Sequence, residues 1–237
     1  AKRVRDAAGA LAESPLRPSG RFSVWRSATA AAAIVAYALI WVAWVRGWAP
    51  MDHLDWDALD FFHAIGVAHP GWVRFWYVFC DVFDPMVLRV VLLVPIVVAW
   101  RRGSRSTAWF LFVTTWGSAA VVFVGKLMAG RPRPDTALVH AAGTSFPSGH
   151  AAGDLVIVWA VLVVTLPLMG RHLRVVAVFA GAVLVIAVGV ARVILNVHHP
   201  SDVAAGWLIG YAYFQVCWML WAPMDPTNSS PITENDV

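Results

Sequence analysis

Three short polar blocks, each lying between long apolar runs, carry the residues of this chain that could do chemistry. The first covers residues 126–134 and reads KLMAGRPRP, the second is PSGH at 147–150, and the third extends from Arg192 through His198 to Asp202. Together they supply cations, histidines and a carboxylate, which are the groups that bind an anion and transfer protons to it. Charges and histidines at the edges of apolar spans indicate a functional site.

Cations and backbone amides in the three blocks could bind a phosphate group. Lys126, Arg133 and Arg192 supply positive charge, and planar guanidinium groups match phosphate oxygens. Ser148 and Gly149 stand just before a predicted helix, whose first backbone N–H groups form an anion site. Two structural alternatives remain open: the arginines form a basic patch beside the membrane, and Ser148 only caps the helix.

Two histidines, His150 and His198, could divide the work of cleaving a phosphate ester. One would attack phosphorus and the other would protonate the leaving oxygen, but their spacing does not say which does which. Asp202 follows His198 by four residues and could fix its tautomer, unless it only begins a helix. Asp154, four residues after His150, could keep that imidazole protonated, or could be protonated itself or paired elsewhere.

No combination of His, Asp, Glu and Cys in the sequence has the spacing typical of a metal site. We therefore predict a reaction that uses neither a metal nor an organic cofactor. The two cysteines, Cys80 and Cys217, lie within apolar runs and are interpreted as small buried residues.

Long apolar segments, rather than a soluble domain, must position these blocks. The chain has 237 residues, and only 14% are charged, against about 25% in soluble domains. Six runs are long enough to cross a hydrocarbon core of about 30 Å, and they must be helical because lipid cannot satisfy backbone polar groups. The runs cover residues 28–45, 72–100, 107–125, 155–170, 175–191 and 203–224.

The predicted fold is therefore all-α: a bundle of six transmembrane helices. A kink is expected in the second span at Pro85. The membrane domain would cover residues 28–224, between a cytoplasmic N-terminal segment, 1–27, and a polar cytoplasmic tail, 225–237. Residues 54–68 place apolar side chains at helical spacing, which predicts a short amphipathic helix on the outer face. That helix would either border a path for lipid or cover the bundle.

The distribution of charge predicts the orientation. Eleven of the 18 Lys and Arg residues fall in the N-terminal segment and in the loops near residues 101–105 and 171–174. The positive-inside rule makes that side cytoplasmic, so both termini would be inside and the polar blocks would face outward across a plasma membrane. Arg131 is a further cation on the outer side, which either guides a headgroup or faces solvent. The sequence contains no long basic stripe, so its charge gives no reason to expect a nucleic-acid partner.

The three blocks resemble the three-part signature of the type 2 phosphatidic-acid phosphatase superfamily. Residue identity, order and spacing all match, except that Ala191 stands where the family pattern usually has Ser. The matching residues are Lys126-x6-Arg133-Pro134, Pro147-Ser148-Gly149-His150 and Arg192-x5-His198-x3-Asp202.

The resemblance implies a role for each residue. His198 would be the nucleophile that forms a phosphohistidine, Asp202 would orient it, and His150 would be the general acid that later activates water. Phosphate would be bound by Lys126, Arg133, Ser148, Gly149 and Arg192. The substrate implied is a membrane lipid phosphate or diphosphate, such as a polyprenyl diphosphate, phosphatidylglycerophosphate or phosphatidic acid, cleaved at the outer face.

Two other functions remain open at this point. A lipid phosphotransferase would use the same residues and pass the phosphoryl group to an acceptor other than water. A non-catalytic lipid-binding or transport protein would tolerate the loss of His198, whereas a hydrolase would not. The sequence does not distinguish among lipid tails and does not indicate an oligomeric state.

Overall fold

The computed structural model describes residues 20–221, with side chains from 24 to 220, and this part of the chain is helical. Loops and one 3-10 turn, Leu166–Leu168, connect the α-helices. The helices are α1 (Gly20–Val45), α2 (Ala49–Ala68), α3 (Pro70–Val82), α4 (Pro85–Arg101), α5 (Arg105–Ala129), α6 (Gly149–Thr165), α7 (Arg171–Ile194) and α8 (Pro200–Trp221). The all-α prediction is confirmed.

Six segments of the described chain are long and apolar enough to cross a membrane, as the sequence predicts. Five of them are α1, α5, α6, α7 and α8, and the sixth consists of α3 and α4 together. The chain is a multi-pass membrane protein. Of the other two predicted segments, 225–237 lies outside the described residues and 1–27 lies largely outside them, although α1 already begins at Gly20.

The second span is interrupted where the sequence predicts a kink. α3 ends at Val82 and α4 begins at Pro85, which occupies the first helical position, where proline is well tolerated. Asp84 caps α4: its Oδ1 accepts hydrogen bonds from the backbone N–H groups of Met86 (2.7 Å) and Val87 (3.3 Å). The interruption thus places a carboxylate inside a span that is otherwise mostly apolar.

Helices α6 and α8 form the centre of the bundle. In the most apolar stretch of each of these two spans, 44% of the residues are buried, compared with 11% in α1. Phe110 from α5, Val156 from α6 and Phe214 from α8 belong to one buried apolar cluster between these helices. The second block begins α6 and the third leads into α8, so the most deeply buried helices carry them.

The helix predicted at residues 54–68 is present as part of α2. Leu54 and Phe61 are exposed, whereas Asp55 and Leu59 are fully buried. α2 packs against α7 and α8 through this face. The ion pair of Asp55 with Arg131 holds this face against the bundle.

Candidate active site

Hydrogen bonds join the three polar blocks into one cluster. The backbone N–H of Ser148, in the second block, donates to the carbonyl of Asp202, in the third, at 2.9 Å. Arg133, in the first block, donates from Nη1 to the carbonyl of Val197 at 2.7 Å, and the same nitrogen lies 3.2 Å from His198 Nε2. The residues that the sequence singles out therefore meet at one end of the bundle.

Arg133 is held by the loops around it. Its Nε donates to the carbonyl of Gly143 (3.1 Å) and its Nη2 to that of Ala142 (2.9 Å). Burial and the nearby charge of Arg192 lower the pKa of Arg133 to about 10. The guanidinium remains cationic at neutral pH, so Arg133 supplies a fixed positive charge beside His198.

His198 is a buried, neutral imidazole. Burial, reinforced by the charges of Arg192 and Arg133, lowers the pKa of His198 to about 3, against the opposing effect of Asp202. Since Arg133 can only donate, its contact with Nε2 fits the tautomer that carries the proton on Nδ1. That tautomer places the lone pair of the ring on Nε2, where it faces Arg133.

Asp202 is engaged more closely by other groups than by His198. Its Oδ2 accepts the backbone N–H of His199 at 2.9 Å and lies 3.1 Å from His199 Nδ1, but 3.6 Å from His198 Nδ1. Oδ1 accepts a hydrogen bond from Arg131 Nη1 at 2.8 Å. Among the described residues, His198 Nδ1 has no hydrogen-bond partner. The carboxylate is thus fixed by His199 and Arg131, and faces His198 at a longer distance.

Arg131 is buried, so the expectation that it faces solvent is wrong. Its side chain is 4% exposed, and its Nη2 lies 2.9 Å from Asp55 Oδ2. Asp55 also accepts the backbone N–H and the hydroxyl of Ser201, at 2.9 and 2.5 Å. Arg131 therefore links α2 to the start of α8, a role that its place in a basic run did not indicate.

Ser148 caps α6, as one sequence alternative proposes. The hydroxyl accepts a long hydrogen bond of 3.5 Å from the backbone N–H of Ala151, and the residue is fully buried. Gly149 follows at the first helical position and borders the cavity described below. Capping leaves the first amides of α6 directed toward this end of the bundle, so the cap and an anion site are compatible.

His150 contacts Asp84 rather than Asp154. Its Nε2 lies 3.3 Å from Asp84 Oδ2. Asp154 is fully buried, and neither of its carboxylate oxygens has a hydrogen-bond partner within the described part of the chain. Sequence reasoning missed Asp84, although an Asp-Pro pair inside an apolar run is a recognisable helix start.

Lys126, Gly149 and His150 line one cavity of about 250 Å³. Asp84 and Arg89 lie on the same wall, and apolar residues of α4 and α5, including Met86 and Phe123, complete it. Lys126 donates from Nζ to the carbonyl of Thr144, at the edge of the site. The cavity has both the charge for an anion and an apolar side.

Arg192 lies at the end of α7, beneath the third block. Its carbonyl accepts the backbone N–H groups of Val197 (3.2 Å) and His198 (3.3 Å), which folds the loop back over the helix end. The side chain is 8% exposed, and its Nε has no hydrogen-bond partner among the described residues. A buried guanidinium with an unused donor is suited to an anionic ligand. Across the same residues, no group of three His, Cys, Asp or Glu side chains is close enough to hold a metal ion.

Comparison with known proteins places the site in context. Residues 107–223, which contain all three blocks, match the family model of the PAP2 superfamily. Phosphatidylglycerophosphatase B of Bacillus subtilis (strain 168) is 42% identical over 88 residues, or 35% of this chain and 43% of that protein. The chain therefore matches less than half the length of this curated relative.

The fold is shared with a solved structure. The crystal structure of a transmembrane PAP2 type phosphatidylglycerolphosphate phosphatase from Bacillus subtilis has a TM-score of 0.61 to this chain at 22% identity. The similarity covers 80% of this chain and 94% of that one. At this level of identity the comparison establishes a common fold.

Proposed function

Since residues 107–223 match the family model of the PAP2 superfamily, we propose that the chain is a lipid phosphatase that releases phosphate from a membrane lipid phosphate. The observation that carries the proposal is the contact of Arg133 with His198 Nε2, within a cluster that also contains His150, Lys126 and Arg192. A neutral imidazole surrounded by cations is suited to attack a phosphate dianion.

In the first step, the lone pair of His198 Nε2 attacks phosphorus. The bond from phosphorus to the lipid oxygen breaks, and His150 gives that oxygen a proton, so the lipid leaves as an alcohol or a shorter phosphate. The product on the enzyme is a phosphohistidine. The Nδ1 proton of His198 faces Asp202, whose carboxylate stabilises the positive charge that the ring acquires.

In the second step, water attacks the phosphohistidine. His150, now neutral, accepts a proton from the water, the bond from Nε2 to phosphorus breaks, and inorganic phosphate is released. Lys126, Arg133 and Arg192, with the first amides of α6 at Ser148 and Gly149, would neutralise the phosphate oxygens in both steps. This assignment uses each residue that the sequence predicts for the site.

The substrate is proposed to be a phospholipid phosphate such as phosphatidylglycerophosphate. This choice rests on the name of the Bacillus subtilis relative and on the apolar side of the cavity. A polyprenyl diphosphate and phosphatidic acid present the same phosphate group on other tails. The site is proposed to face the extracytoplasmic side, because the basic residues of the loops at the opposite end indicate a cytoplasmic location there.

The test is phosphate release by the purified protein from a panel of these lipids, with EDTA present. His198→Ala should abolish release, whereas His172→Ala, which changes an exposed histidine near the start of α7, should leave it unchanged. Rapid quenching with radiolabelled substrate should trap an acid-labile phosphoenzyme in wild type and not in His198→Ala. Equal release by wild type and His198→Ala would refute the mechanism.

The identity of the acceptor is decided by the products. Hydrolysis gives inorganic phosphate in equal amount to the dephosphorylated lipid. A phosphotransferase would give less inorganic phosphate and a new phosphorylated acceptor when an alcohol is added. Lipid binding with no product at all would identify a non-catalytic protein.

A further inference from the structure

Asp84 holds its carboxylate in a fixed orientation at the interruption between α3 and α4. Both backbone N–H groups that it caps, those of Met86 and Val87, donate to the same oxygen, Oδ1. The second oxygen, Oδ2, is left to face His150 Nε2 at 3.3 Å. Capping needs only one oxygen, so the contact with His150 is an additional function of the carboxylate.

The surroundings of His150 are otherwise strongly cationic. Arg89 and Lys126 line the same cavity as His150, and Arg133 and Arg192 lie close enough for their charges to act on it. Each of these cations disfavours a protonated imidazole. The carboxylate of Asp202 is already engaged by Arg131 and His199.

Asp154 does not replace Asp84 in this role. It lies on the same helix as His150, but the structure gives it no hydrogen bond to that imidazole, and it is fully buried. Asp84 is 33% exposed in its side chain and borders the same cavity as His150. Asp84 is therefore the carboxylate in contact with His150.

We propose that Asp84 is a positioning residue for His150: it fixes the orientation of the imidazole and keeps it protonated for transfer of a proton to the leaving oxygen. With Asp84 at Nε2, the N–H on Nδ1 is the one available to the substrate. The inference rests on the proposed function, since it assigns a partner to the proposed general acid.

The first variant is Asp84→Asn, which keeps an oxygen to cap α4 and removes the charge. Asp84→Ser, another capping residue, serves as a second variant if the first does not fold. Asp81→Asn, three residues earlier and exposed, is the matched control. A monodisperse elution profile in detergent establishes that each variant is folded.

Two substrates with different leaving groups distinguish a role of Asp84 in proton transfer from a purely structural role. An alkyl lipid phosphate needs its leaving oxygen protonated, whereas p-nitrophenyl phosphate does not. Since kcat/KM reports the steps up to formation of the phosphohistidine, Asp84→Asn should lower kcat/KM for the lipid about tenfold, a part of the roughly 10²–10⁴-fold that general acid–base catalysis contributes. It should lower kcat/KM for p-nitrophenyl phosphate less than about threefold. Because a general acid works only when protonated, the alkaline limb of the pH–rate profile should move down by about one pH unit.

Equal losses on both substrates with an unmoved alkaline limb would show that Asp84 only caps the helix, and would overturn the inference. The nitrogen chemical shifts of His150 in detergent, measured without substrate, test the pair independently of turnover. The protonated fraction at pH 7 should fall in Asp84→Asn and not in Asp81→Asn. If no lipid is hydrolysed by wild type, the proposed function fails, but this measurement still decides whether Asp84 acts on His150.

Discussion

At the scale of single residues, the buried group Asp55, Arg131, Ser201 and Asp202 connects the outer helix to the site. Arg131 donates to Asp55 and to Asp202, and Ser201 donates to Asp55, so each charge has a partner of opposite sign. Removing charges from water is costly unless they are paired and hydrogen-bonded. The group therefore sets the position of Asp202 relative to His198 from a residue, Asp55, that does not line the cavity of Lys126 and His150.

Asp55→Asn should destabilise the protein and lower its activity. The amide would keep one acceptor but place an N–H₂ group near the donors of Arg131 or Ser201, so a buried cation loses one of its two carboxylate partners. Breaking a buried ion pair costs up to about 3–5 kcal/mol, which is measurable as a lower thermal midpoint in detergent. Asp57→Asn, an exposed carboxylate on the same helix, should change stability by less than about 0.5 kcal/mol. Equal midpoints for the two variants would contradict this account of the network.

At the scale of helices, close contact between α6 and α8 holds the second and third blocks together. α8 contains the sequence Gly206-x3-Gly210, a spacing of small residues that lets helix backbones approach. A Cβ on Gly206 would lie 2.6 Å from the carbonyl oxygen of Ser148, and one on Gly210 would lie 2.9 Å from that of Ala152. The hydrogen bond from Ser148 N–H to Asp202 depends on this approach.

Gly206→Ala should therefore separate the two helices at the site. Since the added methyl group meets backbone rather than a flexible side chain, the cost should fall in the range of about 1–3 kcal/mol for overpacking. Phosphate release should fall together with the thermal midpoint. Gly71→Ala, in α3, has no atom within 4 Å of the new Cβ and is the control. The packing argument fails if Gly206→Ala is as stable and active as Gly71→Ala.

The sequence predicts the six spans and the interruption at Pro85 because both follow from local physics. Length and hydropathy determine which segments cross the membrane, and proline determines where a helix is interrupted. The predicted site residues also meet in the structure, because the three blocks lie at adjoining ends of spans. These features need no knowledge of which helix packs against which.

The sequence does not predict the ion pairs between residues that are far apart in the chain. Asp84 and His150 are 66 positions apart, and Asp55 and Arg131 are 76 positions apart. Asp55 is fully buried in α2, because its carboxylate is paired with the buried guanidinium of Arg131. Predicting such contacts requires the relative placement of helices, which composition does not contain.

At the scale of the whole molecule, the two ends of the bundle differ in their charges. At the site end, hydrogen bonds hold the cations Arg131 and Arg133 in place. The loop at the opposite end contains Arg101 and Arg102, which are exposed. The positive-inside rule concerns exposed loop cations, so we propose that Arg101 and Arg102 mark the cytoplasmic end and that the cations held at the site do not decide the orientation.

Labelling of single cysteines in intact cells tests the proposed orientation. Asp135 is exposed in the loop at the site end, and Arg102 is exposed at the other end, so the two variants are Asp135→Cys and Arg102→Cys. A maleimide that does not cross membranes should label the first in intact cells and the second only after permeabilisation. Wild type is the control, because Cys80 and Cys217 are 2% and 1% exposed and should remain unlabelled. The reverse labelling pattern would place the site on the cytoplasmic side, where it would meet lipids of the inner leaflet.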